Sequence, residues 1–336
     1  MKNSILTKLI TLLILISLPL TALVFLDFSS DSSTVSWPGE SEVYSSSLMF
    51  EKDSSGLDFY DNQLYAVDNG TSLIWILNVM EDGSLQPAPG YEHGRHILFP
   101  DGMSKPDSEG ITVDFEKNIY IASEAGPVEK AHSHNYILQV TADKDITDVT
   151  ACQVWDLNDS LPIAEDNKGI EAIEWVSNAD AEKMFYDINT QKPFNPENYP
   201  NAVSSGVFFV SLEDNGHVYA YVLNHDGTSV QLADFDPHLG GAMALDYDTE
   251  SDLLWVITDN NFNNRSAVLH FSGKKSPEVI YVNPPEGVDI SHNHEGFAIG
   301  TMDKDASVQV YRFCDSSDKR SLSIGHLDAQ YGDIIF

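Results

Sequence analysis

Three glutamates, Glu109, Glu171 and Glu295, carry the clearest chemical signal in this chain. They stand in the short motifs DSEGI, GIEAI and HEGF, each opening a small apolar run. Carboxylates brought to equivalent positions repel one another unless a proton or a cation neutralises them. Calcium suits that need, because it accepts roughly six to eight oxygen ligands at about 2.3–2.6 Å and tolerates irregular geometry. The three residues are therefore read as ligands of calcium, with another divalent metal as the alternative. The plainer alternative is that they accept hydrogen bonds from neighbouring strand ends and hold a register.

Other titratable groups fall close to them. His294 directly precedes Glu295, and Glu124 follows Glu109 across a turn, so His294 and Glu124 are read as candidate proton-transfer groups. Asp68, Glu124, Asp259 and Asp315 close equivalent segments of the chain, with Glu213 a looser fifth member. His132 and His134 lie in GPVEKAHSHNY, and His238 lies in PHLGG. Solvated loop histidines are common, so these are weaker signals. Arg265, Lys130 and Lys168 are few enough to stand out as partners for an anionic group. The candidate substrate-binding set is Asp68, Asp259, His132, His134 and Arg265.

Several chemistries find no support. The chain has no Gly-X-Ser-X-Gly elbow, no phosphate-cradling glycine loop followed by Lys, and no His-Glu-X-X-His. The acidic run DTESD, Asp248–Asp252, lacks the glycine and final glutamate of a calcium-binding helix-loop-helix.

A repeat must position these residues. Ser54–Gly70, Ser108–Gly126, Ile170 onward with Ser205 onward, Gly240–Asn260 and His294–Ser316 share one pattern. A small residue opens an apolar run, a polar turn follows, and an aromatic or β-branched run ends near a carboxylate. Further strand-like runs such as SLIWILNV follow. Four short strands per unit is the pattern of a propeller blade, although a β-sandwich shares the short spacing. No helical periodicity is sustained beyond the N-terminus.

The matched positions Ser55, Glu109, Glu171, Gly241 and Glu295 are 54, 62, 70 and 54 residues apart. Only 41 residues follow Glu295, too few for a further unit. Val43–Ser54 adds the missing length, so VYSSSLMF is expected to supply the outer strand of the last blade. The expected fold is an all-β, five-bladed β-propeller closed by that N-terminal strand, with six blades as the alternative. Strand direction alternates within a blade, so the five matched positions ring one mouth of the channel. Asp68, Glu124 and Asp259 then lie further out on the same face. The excess length of the third unit sits at residues 177–204. Cys152 and Cys314 fall in non-adjacent blades and are expected to be unbridged.

The 336 residues carry 52 acidic and 18 basic side chains, a formal net charge of −34. That field repels nucleic acid and attracts cations. Lys2 and Lys8 precede the uncharged apolar run Leu9–Leu26, the layout of a secretory signal or an N-terminal membrane anchor. The expected organisation is a signal or anchor over 1–26, a linker over 27–42 and the propeller over 43–336. The propeller is then exported: periplasmic, extracellular or tethered on the outer side of a membrane.

The anchors SSGL, DSEGI, GIEAI, GGAM and HEGF resemble the SdiA-regulated family of exported bacterial five-bladed propellers. SEGITVDFEKNIYIASEAG is also similar to the Glu-Gly segment of phytase-like and esterase-like propellers. The resemblance spans residues 43–336 and implies glutamates at the second, third and fifth anchors, with carboxylates holding calcium over the channel. The expected function is a calcium-assisted hydrolase of phosphoric or carboxylic esters acting on a small anionic ester. The alternative is a non-catalytic envelope module that binds a small ligand or a protein around a structural metal.

Overall fold

The computed structural model describes residues 34–40, 43–44, 50, 53–126, 134–142, 147–162, 164–302, 307–315 and 321–336. The apolar N-terminal run, Lys130 and His132 lie outside these residues. Among the described residues, no helix is long and apolar enough to cross a membrane.

The five units form five blades, each an antiparallel sheet of four strands. Blade 1 is built from Ser54–Tyr60, Gln63–Asp68, Leu73–Val79 and Arg95–Leu98. Blade 2 takes Ser108–Val113, Ile119–Ser123, Tyr136–Val140 and Gln153–Asp156. Blade 3 takes Ile170–Ser177, Gly206–Leu212, Val218–Leu223 and Ser229–Phe235. Blade 4 takes Ala244–Asp248, Leu253–Ile257, Ser266–His270 and Glu278–Val282. Blade 5 takes Asn293–Met302, Ser307–Asp315 and Leu322–Asp328, and its outer strand is Val43–Tyr44. Val43 pairs with Ile324 and Tyr44 with Ser323, antiparallel, as the length of the last unit requires. The innermost strands of blades 1, 2, 3, 4 and 5 touch in turn and close a circle.

Closure is sealed by packing. Phe50 is buried, with its ring 5.1 Å from Trp75 of blade 1 and 4.7 Å from Phe313 of blade 5. The Ser321 hydroxyl donates to the Phe50 carbonyl. Burying one Phe stabilises by roughly 1.5–3 kcal/mol, applied here where the two chain ends meet.

Two outer edges gain a fifth, parallel strand. Asp148–Thr150, from the outer connection of blade 2, runs beside Arg95–Leu98 of blade 1. Thr34–Val35 runs beside the outer strand of blade 4, pairing with Tyr281 and Val282. Part of the segment expected as linker is thus seated on the propeller. Trp37 stacks 5.7 Å from Trp255, and its indole N–H donates to the His326 carbonyl. Covered edges offer no free ladder to another chain.

Residues 177–204 join the first two strands of blade 3. They hold a short helix, Asn178–Met184, that the sequence reading did not include. Ser177 caps it by accepting from the Asp180 N–H. Ala181, Met184, Phe185 and Phe194 bury themselves against Phe209 and Phe235. Cys152, exposed in blade 2, and Cys314, buried in blade 5, are not bridged to each other.

Candidate functional site

The innermost strands do not run straight into the channel mouth. In blade 2, Ser108 pairs with Ser123 and Gly110 with Ala122, leaving Glu109 as the extra residue of a β-bulge. Glu171 is skipped in the same way between Ile170 and Ala172, and Glu295 between His294 and Gly296. Ser55 falls in the corresponding irregularity of blade 1. A bulge re-aims a side chain that regular alternation would send elsewhere. In these blades it brings the matched residues together.

The residue after each anchor is small for a packing reason. A Cβ on Gly110 would lie 2.7 Å from the Ile173 nitrogen, and one on Gly296 would lie 2.3 Å from the Ser55 carbonyl oxygen. Only glycine admits such an approach of neighbouring inner strands. Glu-Gly is therefore two requirements in one motif, a re-aimed carboxylate and a bare backbone. Blade 4 departs from the pattern: its inner strand starts at Ala244, and Gly241 lies in the approach to it.

Glu109, Glu171 and Glu295 are 3%, 5% and 7% exposed. Burial pushes the carboxyl of Glu109 well above the ordinary range, and Glu295, Glu124 and Asp107 push it further. Glu171 is raised by burial and then by Glu109, Glu124, Glu295 and Glu213. Glu295 is raised to about 8, by burial first and then by Asp315. Among the described residues, the charges raising these three are all carboxylates. The Ser55 hydroxyl and the Asn69 amide approach Glu109 Oε2 at 2.9 and 3.2 Å. Glu295 Oε2 is buried and has no hydrogen-bond partner among the described residues.

The ring extends beyond the three glutamates. Asp107, Glu109 and Glu124 each present a ligand atom within 4.8 Å of the others. Asp107 escaped the sequence reading because it precedes the repeat anchor, although DSEG puts it two residues from Glu109. Glu124 Oε2 accepts the Gly169 N–H at 2.8 Å, tying blade 2 to the start of blade 3. Glu213, half-buried, has its pKa raised to about 7 by burial and Glu124, against the opposing pull of Lys168. Lys168 itself pairs with Glu165 at 3.0 Å.

The remaining expected residues are dispersed. His294 is fully buried; its Nε2 lies 3.3 Å from the Asp289 carbonyl, and burial and Arg312 lower its pKa to about 4. The charges acting on it are Arg312, His292 and Asp289, not the ring. Asp68 accepts from the Thr71 N–H and hydroxyl, and Asp259 caps the turn at Asn261. Asp259 still contributes to raising Glu295. Arg265 lies over Tyr281 and donates to the Phe262 carbonyl. His134 is half-buried, stacks near Tyr136 and donates its backbone N–H to the Glu124 carbonyl. His238 is exposed and pairs with Asp236.

Below the ring the channel narrows to a throat of about 10 Å³, lined by Leu57, Ile111, Ile173 and Leu245 among others. That is about the space of a single water. A second set of buried polar groups lies past it: Asp58, Thr112 and Glu174, three residues on from their anchors, and, in blade 4, Asp246, five on from Gly241. Asp58 accepts the Val113 N–H at 2.6 Å, Thr112 the Trp175 N–H at 2.9 Å, and Asp246 the Ile299 N–H at 2.9 Å. Glu174 accepts from the Tyr247 N–H. Each thus reaches the next blade's backbone, and the series stops at blade 5, where the matching residue is Ala298. Register-holding, the plainer role considered for the upper glutamates, is shared: the lower set bonds the next blade's backbone, and Glu109 accepts from Ser55 and Asn69 of blade 1.

No family model matches this chain, and no curated protein matches it. Among solved structures it is similar to Myxococcus xanthus glutaminyl cyclase, at 9% identity over 83% of this chain and 93% of that one, with a TM-score of 0.42. Streptogramin B lyase matches at 13% identity over 85% and 97%, with a TM-score of 0.39. The nidogen/laminin complex matches at 13% identity over 84% and 82%, with a TM-score of 0.38. Their activities are their own. The chain is a five-bladed β-propeller.

Proposed function

We propose that this propeller binds a divalent cation, calcium by the chemistry of its donors, at the ring mouth and uses it to hydrolyse a small phosphoric or carboxylic ester. The observation that carries the cation site is the buried Oε2 of Glu295, which has no hydrogen-bond partner among the described residues and stands among carboxylates whose main electrostatic neighbours are other carboxylates. Burying like charges without compensation is costly, and a hard cation with oxygen ligands removes the cost. Glu109, Glu171 and Glu295 would hold it, with Asp107 and Glu124 in reach. Bound there, a divalent cation supplies Lewis-acid polarisation of an ester oxygen. The similarity of Ser108–Gly126 to the Glu-Gly segment of phytase-like and esterase-like propellers points the same way.

The chain's own groups at the rim have the required chemistry. Lys168, partly exposed, can meet an anionic group of the substrate. Glu213, with a pKa near 7, can take a proton from an attacking water close to neutral pH. The water oxygen adds to the phosphorus or acyl carbon, the ester bond breaks, and the alcohol leaves with a proton. Glu213 is preferred to His294 in this role because His294 is fully buried and its main charged neighbours are Arg312, His292 and Asp289. The layout Lys2, Lys8 and Leu9–Leu26 supports export.

A second reading is favoured by one feature: the three glutamates are at most 7% exposed. An ion so enclosed would be structural, and the acidic mouth would capture a ligand without turning it over. Hydrolysis of a phosphomonoester, a lactone and a carboxylic ester, with calcium and with chelator, separates the two. Turnover lost on chelation and reduced at least tenfold in Glu213→Gln supports the hydrolase. Loss of thermal stability on chelation, with no turnover of any substrate, establishes the binding module.

A further inference from the structure

A cavity lies at the end of the propeller away from the glutamate ring. It opens at the opposite mouth, has a volume of about 670 Å³, and is separated from the ring by the apolar throat. That volume falls within the roughly 300–1,000 Å³ of small-molecule sites. Among the described residues, five of its lining residues are carboxylates and five are aromatic, and none is Lys, Arg or His. Asp58 and Glu174 are 7% and 8% exposed, and Tyr60 and Trp175 stand beside them in the lining. Phe115, half-exposed, packs edge-on against Trp175 at 5.0 Å.

We infer that this cavity is a binding site for a small organic cation with an apolar or aromatic body. The charge pattern excludes anions, and the paired aromatic and carboxylate lining is what an ammonium group selects: ring faces for its diffuse charge and a carboxylate for its centre. Asp61 is tied to Lys117 at 2.6 Å, and Asp248 accepts from Ser251 and Tyr331. Asp58 and Glu174 instead meet only neutral donors, the backbone N–H groups of Val113 and Tyr247 and the hydroxyl of Thr112. Burial accordingly raises the pKa of Asp58 to about 6 and that of Glu174 well above the ordinary range. A cationic ligand would supply a counter-charge that, among the described residues, the lining does not hold. The inference does not depend on the ring, so either can fail alone.

Titration calorimetry of the full chain in chelated buffer tests it, with benzyltrimethylammonium as the probe and benzyl alcohol and benzoate as its neutral and anionic counterparts. Saturable binding of the cation is expected, with no detectable binding of the other two. Glu174→Gln should weaken the cation at least tenfold. Glu250→Lys places the opposite charge on an exposed lining residue that bears no fold, and it should weaken binding at least fivefold with an unchanged melting temperature. Glu109→Gln, at the other mouth, should leave it unchanged. The inference is overturned if the cation does not bind the parent, if benzyl alcohol binds equally well, or if Glu250→Lys binds like the parent.

Discussion

The Ser55 hydroxyl oxygen lies 2.7 Å from the Glu109 carbonyl oxygen and 2.9 Å from Glu109 Oε2, joining blade 1 to the ring residue of blade 2. A hydroxyl has one proton to give. If it goes to the carbonyl, the carboxyl must carry its own proton to complete the second bond. Burial and three neighbouring carboxylates favour that protonated form, and a cation would displace it.

Calcium binding should therefore release protons. Calorimetry in two buffers of different ionisation enthalpy at pH 7 should show heats that diverge with the buffer. Equal heats would mean that the ring is already ionised and solvated.

Stability should follow pH with the sign set by raised carboxyl pKa values. Glu295 rises from 4.5 to about 8, so the folded state binds a proton that the unfolded state has lost between those values. The metal-free protein should be more stable at pH 5 than at pH 8, losing stability as pH rises across that window. Glu295→Gln should flatten the dependence in thermal melts, and added calcium should offset the loss at pH 8.

An ion that binds only the folded state stabilises it by mass action, about 2.7 kcal/mol at one hundred times its dissociation constant. Calcium should raise the melting temperature, and Gln at Glu109, Glu171 or Glu295 should reduce that response. Glu116 lies in the Asp114–Asn118 turn at the far mouth, and Glu116→Gln should retain it in full. Equal responses from all four variants would remove the ring from calcium binding.

Thr112→Val preserves shape but deletes the acceptor of the Trp175 N–H in a residue that is 1% exposed. Leaving that donor unsatisfied should cost about 1–3 kcal/mol in urea unfolding. A cost below a few tenths would show that the inter-blade series does not hold the register.

Phe50→Ala removes the ring lodged between Trp75 and Phe313 where the circle closes. A buried Phe→Ala change should cost roughly 3–5 kcal/mol. A neutral outcome would show that Val43–Tyr44 pairing alone seals the propeller.

Blade number, closure by Val43–Tyr44 and the kinship of Glu109, Glu171 and Glu295 were legible because repetition writes itself into spacing. Each blade must bury the same faces, so small residues, turns and carboxylates recur at matched positions. Asp107 was not legible, since it belongs to the approach rather than to the repeat. The surroundings of His294 were not legible either, since its burial and its neighbours Arg312 and Asp289 are set by the fold and not by adjacency to Glu295. The Asn178–Met184 helix was too short for a periodic signal, and only its Ser177 cap marks it.

Sequence alone determined which carboxylates are equivalent, since equivalence is a matter of register along a repeated strand. Tertiary structure decided what that equivalence does. Bulges at three anchors turn the upper glutamates toward one another, while the acids of the lower set spend an oxygen on the next blade's backbone. The two carboxylate sets differ little as letters. They differ in whether a neighbouring N–H stands within reach, and that depends on how five strands meet around an axis.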